Sequence, residues 1–239
     1  MTTILQQTVT CGLLPARITR LEFPRINQSA SLWLLDLAQP RIDAEFDILS
    51  SQEWAYANRF VQDLHRHRYI AAHCALRTIL SKTIGHPASR LEFAHGPHGK
   101  PYLPNHPGCV FNLSHSGDWG VVAIGTAPDV QHIGVDIEVM RTIDNLDELA
   151  KEAFTPAEQD ELQQTPETQK AEAFLHGWVR KESVLKAMGT GLSLPSRQVH
   201  AGLGANPVKV IVLAGDRRYS VDLYSMQHPA GFSVAVALM

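Results

Sequence analysis

Asp136 and Glu138 stand two residues apart in Ile133-Gly134-Val135-Asp136-Ile137-Glu138, a run that reads as a short strand. Strand side chains alternate faces, so Val135 and Ile137 point one way while Gly134, Asp136 and Glu138 point the other. At a rise of ~3.3 Å per residue the two acids sit about 7 Å apart on one face. Carboxylates held together on an apolar scaffold repel unless solvent or a cation intervenes. Magnesium suits the position, because it takes hard oxygen ligands and usually completes its shell with water and substrate phosphates. The plainer alternative is an edge strand with a wet acidic face.

A second stretch, Phe174-Leu175-His176-Gly177-Trp178-Val179-Arg180-Lys181-Glu182-Ser183-Val184-Leu185-Lys186-Ala187-Met188-Gly189, has helical spacing and a glycine where a helix stops. Leu175, Trp178, Glu182, Leu185 and Lys186 share a face. Glu182 aimed inward would supply a third carboxylate, and Lys186 would reach phosphate. Alone, Glu182 and Lys186 also fit a surface ion pair worth a few tenths of a kcal/mol.

The elements that must position these groups follow from pattern. Ser31 to Leu37 reads as a buried strand, and Ser50-Ser51-Gln52-Glu53 as a helix start after the acidic stretch beyond Pro40. Residues 54–84 read as one helix, with Phe60, Val61, Leu64, Ala72, Leu76, Ile79 and Leu80 as its apolar stripe. It also carries Arg59, His65, Arg66, His67, Arg68 and Arg77, either a solvated basic face or a phosphate grip. Residues 91–107 form a turn-rich loop in which Lys100, between Gly99 and Pro101, is expected to have a free side chain for a ligand. His95 and His98 have no second pair of ligands, so zinc is not expected.

A strand, a polar turn and a second strand are expected over 110–125, with Ser114-His115-Ser116 in the polar turn and the second strand over 119–125. No G-x-S-x-G elbow accompanies these hydroxyls, and anion binding suits them better than nucleophilic catalysis. Helices are expected over 144–154 and 156–164, and strands over 208–213, 219–224 and 231–238. Trp119-Gly-Val-Val-Ala-Ile resembles Phe232-Ser-Val-Ala-Val-Ala, and the helices carrying Arg77 and Lys186 precede them. The offsets, 232 − 119 = 113 and 186 − 77 = 109, predict two similar α+β halves, 1–128 and 129–239, with the site between them.

The 239 residues, 44% of them apolar, are ample for a packed core. A net charge of −3 with both signs dispersed offers no broad nucleic-acid surface. Cys11, Cys74 and Cys109 are odd in number and widely spaced, which argues against disulfides and fits a reducing compartment. With no signal-like start and no apolar run of membrane-spanning length, a soluble cytoplasmic protein is expected. No P-loop or Rossmann fingerprint is present.

Four motifs in order, Gly99-Lys100-Pro101-Tyr102, Phe111-Asn112-Leu113-Ser114-His115-Ser116, Gly134-Val135-Asp136-Ile137-Glu138 and Trp178-Val179-Arg180-Lys181-Glu182-Ser183-Val184-Leu185-Lys186-Ala187-Met188-Gly189-Thr190-Gly191-Leu192, resemble the 4′-phosphopantetheinyl transferases of the surfactin-synthetase-activating type. The resemblance implies a single-chain pseudodimer of α+β halves that binds coenzyme A and Mg2+ between them. It would transfer phosphopantetheine to a serine of an acyl or peptidyl carrier protein, leaving adenosine 3′,5′-bisphosphate. The family pattern would make Asp136, Glu138 and Glu182 the metal ligands and bring Lys186 to the pyrophosphate. It would have Arg68, Lys100, Ser114 and His115 hold coenzyme A. The chemistry agrees, since attack on a pyrophosphate needs its anionic oxygens neutralised. Glu182 is the first candidate for the base that takes the serine proton and Glu158 the second. Arg141, Arg180 and Lys181 are candidate docking charges for an acidic carrier, and a monomer is expected. A magnesium-dependent hydrolase, or a module that only binds coenzyme A or a carrier, are the competing functions.

Overall fold

A computed structural model describes residues 16–23, 26, 30–39 and 47–239. Cys11, Pro40 and the stretch just after it lie outside the described residues, and Cys74 and Cys109 are free and buried.

The first part of the chain gives strands β1 (Arg17–Leu21) and β2 (Ala30–Asp36), then helices α1 (Ser51–Ala57) and α2 (Asp63–Ile84). A small hairpin follows, β3 (Ala94–His95) and β4 (Pro101–Tyr102), and then β5 (Cys109–Ser116) and β6 (Trp119–Thr126). The second part gives β7 (Ile133–Val139), α3 (Leu146–Ala153), α4 (Pro156–Gln164), α5 (Lys170–Met188), β8 (Val208–Ala214), β9 (Arg217–His228) and β10 (Phe232–Leu238). Two antiparallel sheets result, ordered β1-β2-β6-β5 and β7-β10-β9-β8.

The alternation of each strand decides the layering. Leu32, Leu34, Val121 and Ala123 of the first sheet meet Val135, Ile137, Val234 and Val236 of the second in one apolar layer. On its other face the first sheet packs Leu35, Phe111, Val122 and Ile124 against Ala72, Ala75, Leu76 and Ile79 of α2. The second sheet likewise packs Val221, Leu223, Ala235 and Ala237 against Val179, Val184 and Ala187 of α5. The α+β fold of two similar halves is as the sequence predicts, with β2, α2, β5 and β6 matched by β7, α5, β9 and β10.

The strands β5 and β7 end their sheets and lie side by side, joined by side chains rather than by a backbone ladder. Val135 N–H donates to Asn112 Oδ1 at 2.8 Å, and Val139 N–H to Ser116 Oγ at 3.2 Å. Polar residues at every second position of β5 thereby satisfy the unpaired edge of β7.

The single helix expected over 54–84 is two. Ser50 and Glu53 form the expected capping box of α1, but the helix stops after Ala57. The N–H groups of Arg59 and Phe60 turn back to the carbonyls of Tyr56 and Ala57. Val61 is 99% exposed and Leu64 is exposed too, so helical spacing there did not reflect a buried face. Arg77 is not part of a phosphate grip either. Its guanidinium is buried, paired with Glu53 at 2.7 Å and bonded to the carbonyls of Ala88 and Leu91. Burial pushes the Glu53 carboxyl up, but bonds from His73, then Arg77 and Ser50, outweigh it and bring it down to about 2. The later helices agree with expectation, α5 starting four residues early and ending at Gly189 with φ 65°.

Candidate functional site

The site is built where β5, β7 and α5 meet. Gly134 is what lets α5 approach β7: a Cβ there would lie 2.1 Å from the Ser183 carbonyl oxygen and 2.2 Å from Ala187 N. Through that contact the Lys186 side chain, one helical turn beyond Glu182, reaches the acidic strand. Its Nζ donates to Asp136 Oδ1 at 2.6 Å and to Ser114 Oγ at 3.1 Å. Ser114 Oγ donates to the same carboxylate oxygen at 2.7 Å. The other oxygen of Asp136 is buried and, among the described residues, has no hydrogen-bond partner.

Next along β7, Glu138 Oε2 accepts from Ser116 Oγ at 2.7 Å and from Arg141 at 2.9 Å. Burial is the largest force on Asp136 and raises its pKa, opposed by Lys186 and Ser114. Burial also raises Glu182, and the neighbouring Asp136 adds to it. Glu182 and Lys186 line a cavity of about 520 Å3, walled further by Trp178, Leu185, Leu194 and Asn112.

Of the residues the sequence singles out, Asp136, Ser114, Lys186, Glu138 and Glu182 fall in this one region. Among the described residues no group of three His, Cys, Asp or Glu side chains is drawn together as a ready-made metal site, and Asp136, Glu138 and Glu182 border one region without converging on one point. The donor chemistry still suits a hard cation: a buried carboxylate oxygen lacks a partner, and Asp136 disfavours the charged form of its neighbour Glu182.

His115 is exposed at the end of β5, and its imidazole is held below its usual range by local desolvation, then by Lys186, His73, Arg68 and His65. Arg68 is paired with Asp118 in the β5–β6 turn, while its Nε lacks a partner. Lys100 borders the cavity, but its side chain is not free as expected. Its Nζ donates to the carbonyls of Ile133 at 2.7 Å, Lys186 at 2.6 Å and Ala187 at 3.4 Å.

Glu158 does not belong to the site. It is 0% exposed and caps α4 together with Thr155. It pairs with Lys181 at 2.6 Å and accepts from the N–H groups of Ala201 and Gly202. Bonds from Lys181, Thr155 and Ala201 outweigh its burial and lower its pKa, which leaves no room for a base's work. Arg180 and Lys181 are buried as well, bonded to the carbonyls of 196–202, and so are not docking charges. Arg141 is exposed. Ser116, expected to bind an anion, and Asn112, given no role by the sequence, instead bond to the edge of β7, a role that their period-two spacing with Ser114 could have signalled.

With this geometry in hand, comparison with known proteins identifies the class. The 4′-phosphopantetheinyl transferase superfamily matches residues 132–237. The N-terminal region of 4′-phosphopantetheinyl transferases matches residues 38–127. The chain is 36% identical over 174 residues to the 4′-phosphopantetheinyl transferase HetI of Nostoc sp., covering 70% of this chain and 72% of that protein. It is 38% identical to a 4′-phosphopantetheinyl transferase of Bacillus subtilis, covering 62% of this chain and 63% of that one. To Sfp of the same organism it is 32% identical, with 66% and 68% covered. The chain belongs to the 4′-phosphopantetheinyl transferase family and is an enzyme.

Proposed function

We propose that the cavity walled by α5, the segment just after it, the β3–β4 turn and Asn112 of β5 is where this chain performs the family's transfer, with coenzyme A as donor and a serine of a carrier protein as acceptor. The observation that carries this reading is Asp136, one oxygen held by Ser114 and Lys186 and the other buried without a partner, beside a cavity lined by Glu182. Such a site suits a substrate that brings both negative charge and a cation.

Asp136, Glu138 and Glu182 would hold that ion, which we take to be Mg2+. When bound it supplies neutralisation of the pyrophosphate oxygens. Lys186, which spends two of its three donors on Asp136 and Ser114, has the third for a phosphate oxygen. Arg68, His115 and Ser114 form the side of the site contributed by the first half, and are proposed to hold the donor through its phosphates. Glu182 takes the proton from the carrier serine, a role that its raised pKa and its place on the cavity wall favour. The serine oxygen then bonds to the β-phosphorus of the donor. The bond to the bridging oxygen breaks, and adenosine 3′,5′-bisphosphate leaves. In this reading 1–128 is the donor-binding half and 129–239 the catalytic half. The enzyme acts as a cytoplasmic monomer, and no helix among the described residues is long and apolar enough to cross a membrane.

The test is to incubate the protein with coenzyme A, magnesium and an apo carrier, and to weigh the carrier by intact mass spectrometry. A magnesium-dependent gain of one phosphopantetheine, abolished in Asp136→Ala, is expected. Glu182→Gln should lose at least ~100-fold in turnover, the scale of a positioned base. Cleavage of coenzyme A with no mass gain on several carriers would replace this reading with hydrolysis.

A further inference from the structure

Lys100 borders the cavity, yet its ammonium turns to backbone carbonyls. Its ammonium has three donors and three acceptors are within reach: the carbonyls of Ile133, Lys186 and Ala187. These carbonyls lie where the regular backbone ladders end. The last carbonyls of a helix lack intrahelical partners, and the 186 and 187 carbonyls belong to the final turn of α5, which ends at Met188. Ile133 opens β7, whose outer edge has no backbone partner strand among the described residues.

The lysine comes from the hairpin β3–β4 of the first half, where Gly96 and Lys100 are joined by a backbone bond across the turn. Its Cδ passes 3.7 Å from where a Cβ on Gly189 would stand, so its stem runs across the left-handed end of α5. Among the described residues no carboxylate bonds to it. Burial pulls it down to about 8, as expected of an ammonium held by dipoles alone.

We infer that Lys100 is a positioning residue. It caps the C-terminal turn of α5 from the opposite half and fixes that turn on β7, and with it the backbone of Lys186 whose Nζ meets Asp136. It acts on the reaction through Lys186, and its ammonium is not a ligand for the phosphates of the donor. Asn112 and Ser116 satisfy the same edge of β7 further along, so the three together form a seam made by first-half side chains on second-half backbone.

The inference rests on the transfer reaction proposed above for its kinetic readout only. Lys100→Met and Lys100→Arg would be compared with the wild type by holo-carrier mass for kcat and KM. Thermal midpoints would be taken with and without coenzyme A, and amide exchange measured over 185–190. A capping role predicts that kcat of Lys100→Met falls about tenfold or more while KM for coenzyme A stays within about twofold, the pattern of a group felt in the transition state only. The midpoint without coenzyme A drops, the rise that coenzyme A produces is retained, and amides at the end of α5 exchange faster. Arginine, a planar fork, cannot meet three carbonyls placed for an ammonium, so Lys100→Arg shares the kcat defect. A KM raised about tenfold, with an unchanged midpoint in the free protein and near-normal behaviour of Lys100→Arg, would make Lys100 a phosphate ligand and overturn the inference. Should the wild type transfer nothing, the transfer reading falls by itself, and the midpoint and exchange of the free protein still decide the role of Lys100.

Discussion

One oxygen of Asp136 accepts from Ser114 and Lys186, while the other is buried and has no partner. An uncompensated buried acceptor costs about 1–3 kcal/mol, so the fold is strained here for the sake of something that binds. Asp136→Asn removes the buried charge while keeping the shape. Its thermal midpoint in metal-free buffer should equal or exceed that of the wild type. Magnesium should raise the wild-type midpoint, by about 2.7 kcal/mol of stability at a hundred times the dissociation constant, and leave the variant unmoved. An equal rise in both proteins would remove Asp136 from the metal site. At this scale the sequence was informative where side chains act in short local patterns. That Asp136 and Glu138 share a strand, and Glu182 and Lys186 a helix, was readable from strand and helix periods. Glu158 was misread because a capping carboxylate and a catalytic one look alike until burial is known. Arg180 and Lys181 were misread because charge suggests a surface, and nothing local says that the carbonyls of 196–202 will fold back over them.

At the scale of elements, the contact of α5 with β7 decides whether the site exists, and Gly134 makes that contact possible. A methyl at this position would press on backbone atoms of two helical residues, which cannot rotate away as a side chain would. Gly134→Ala should therefore cost about 3 kcal/mol or more, above the usual range for overpacking. For a chain of this length that corresponds to a loss of roughly 6–12 °C in the thermal midpoint. Transfer activity should fall even below the new midpoint, because Lys186 is carried away from Asp136. A midpoint within a degree or two of wild type would mean that α5 rides freely on β7. Pattern predicted α5 and β7 well and the α1–α2 break badly, for one reason. Apolar period locates elements that bury a face, and Val61 and Leu64 keep the period while facing water. The seam between β5 and β7 is invisible to any rule that pairs strands through their backbones, since Asn112, Ser116 and Lys100 do the joining.

At the scale of the whole molecule, two strand-helix-hairpin units are stacked face to face, and the offset between Trp119 and Phe232 was already a trace of that repeat. The second unit is held to its helix partly by polar groups with no access to water. His176 of α5 is buried between Ser233 of β10, 2.5 Å from Nδ1, and Ser225 of β9, 3.1 Å from Nε2. Arg180 donates to the same Ser225 at 2.5 Å. Burial above all, and then Arg180, lowers the imidazole to about 4. The folded protein thus binds fewer protons at His176 than the unfolded chain does, and its stability must fall as pH drops from 6.5 to about 4. The full cost is about 3 kcal/mol at 1.36 kcal/mol per unit. Glu53 acts in the same direction but in a lower window, from its ordinary 4.5 down to about 2, so the two can be told apart. His176→Gln keeps groups that can bond to both serines and has nothing to titrate. Chemical denaturation at steps between pH 7 and 4 should show the wild type losing stability over this window and the variant losing less, the slope that remains coming from the other lowered imidazoles, His115, His132 and His228. Parallel curves for the two proteins down to pH 4 would mean that protonation of His176 is not what loosens α5 from its sheet.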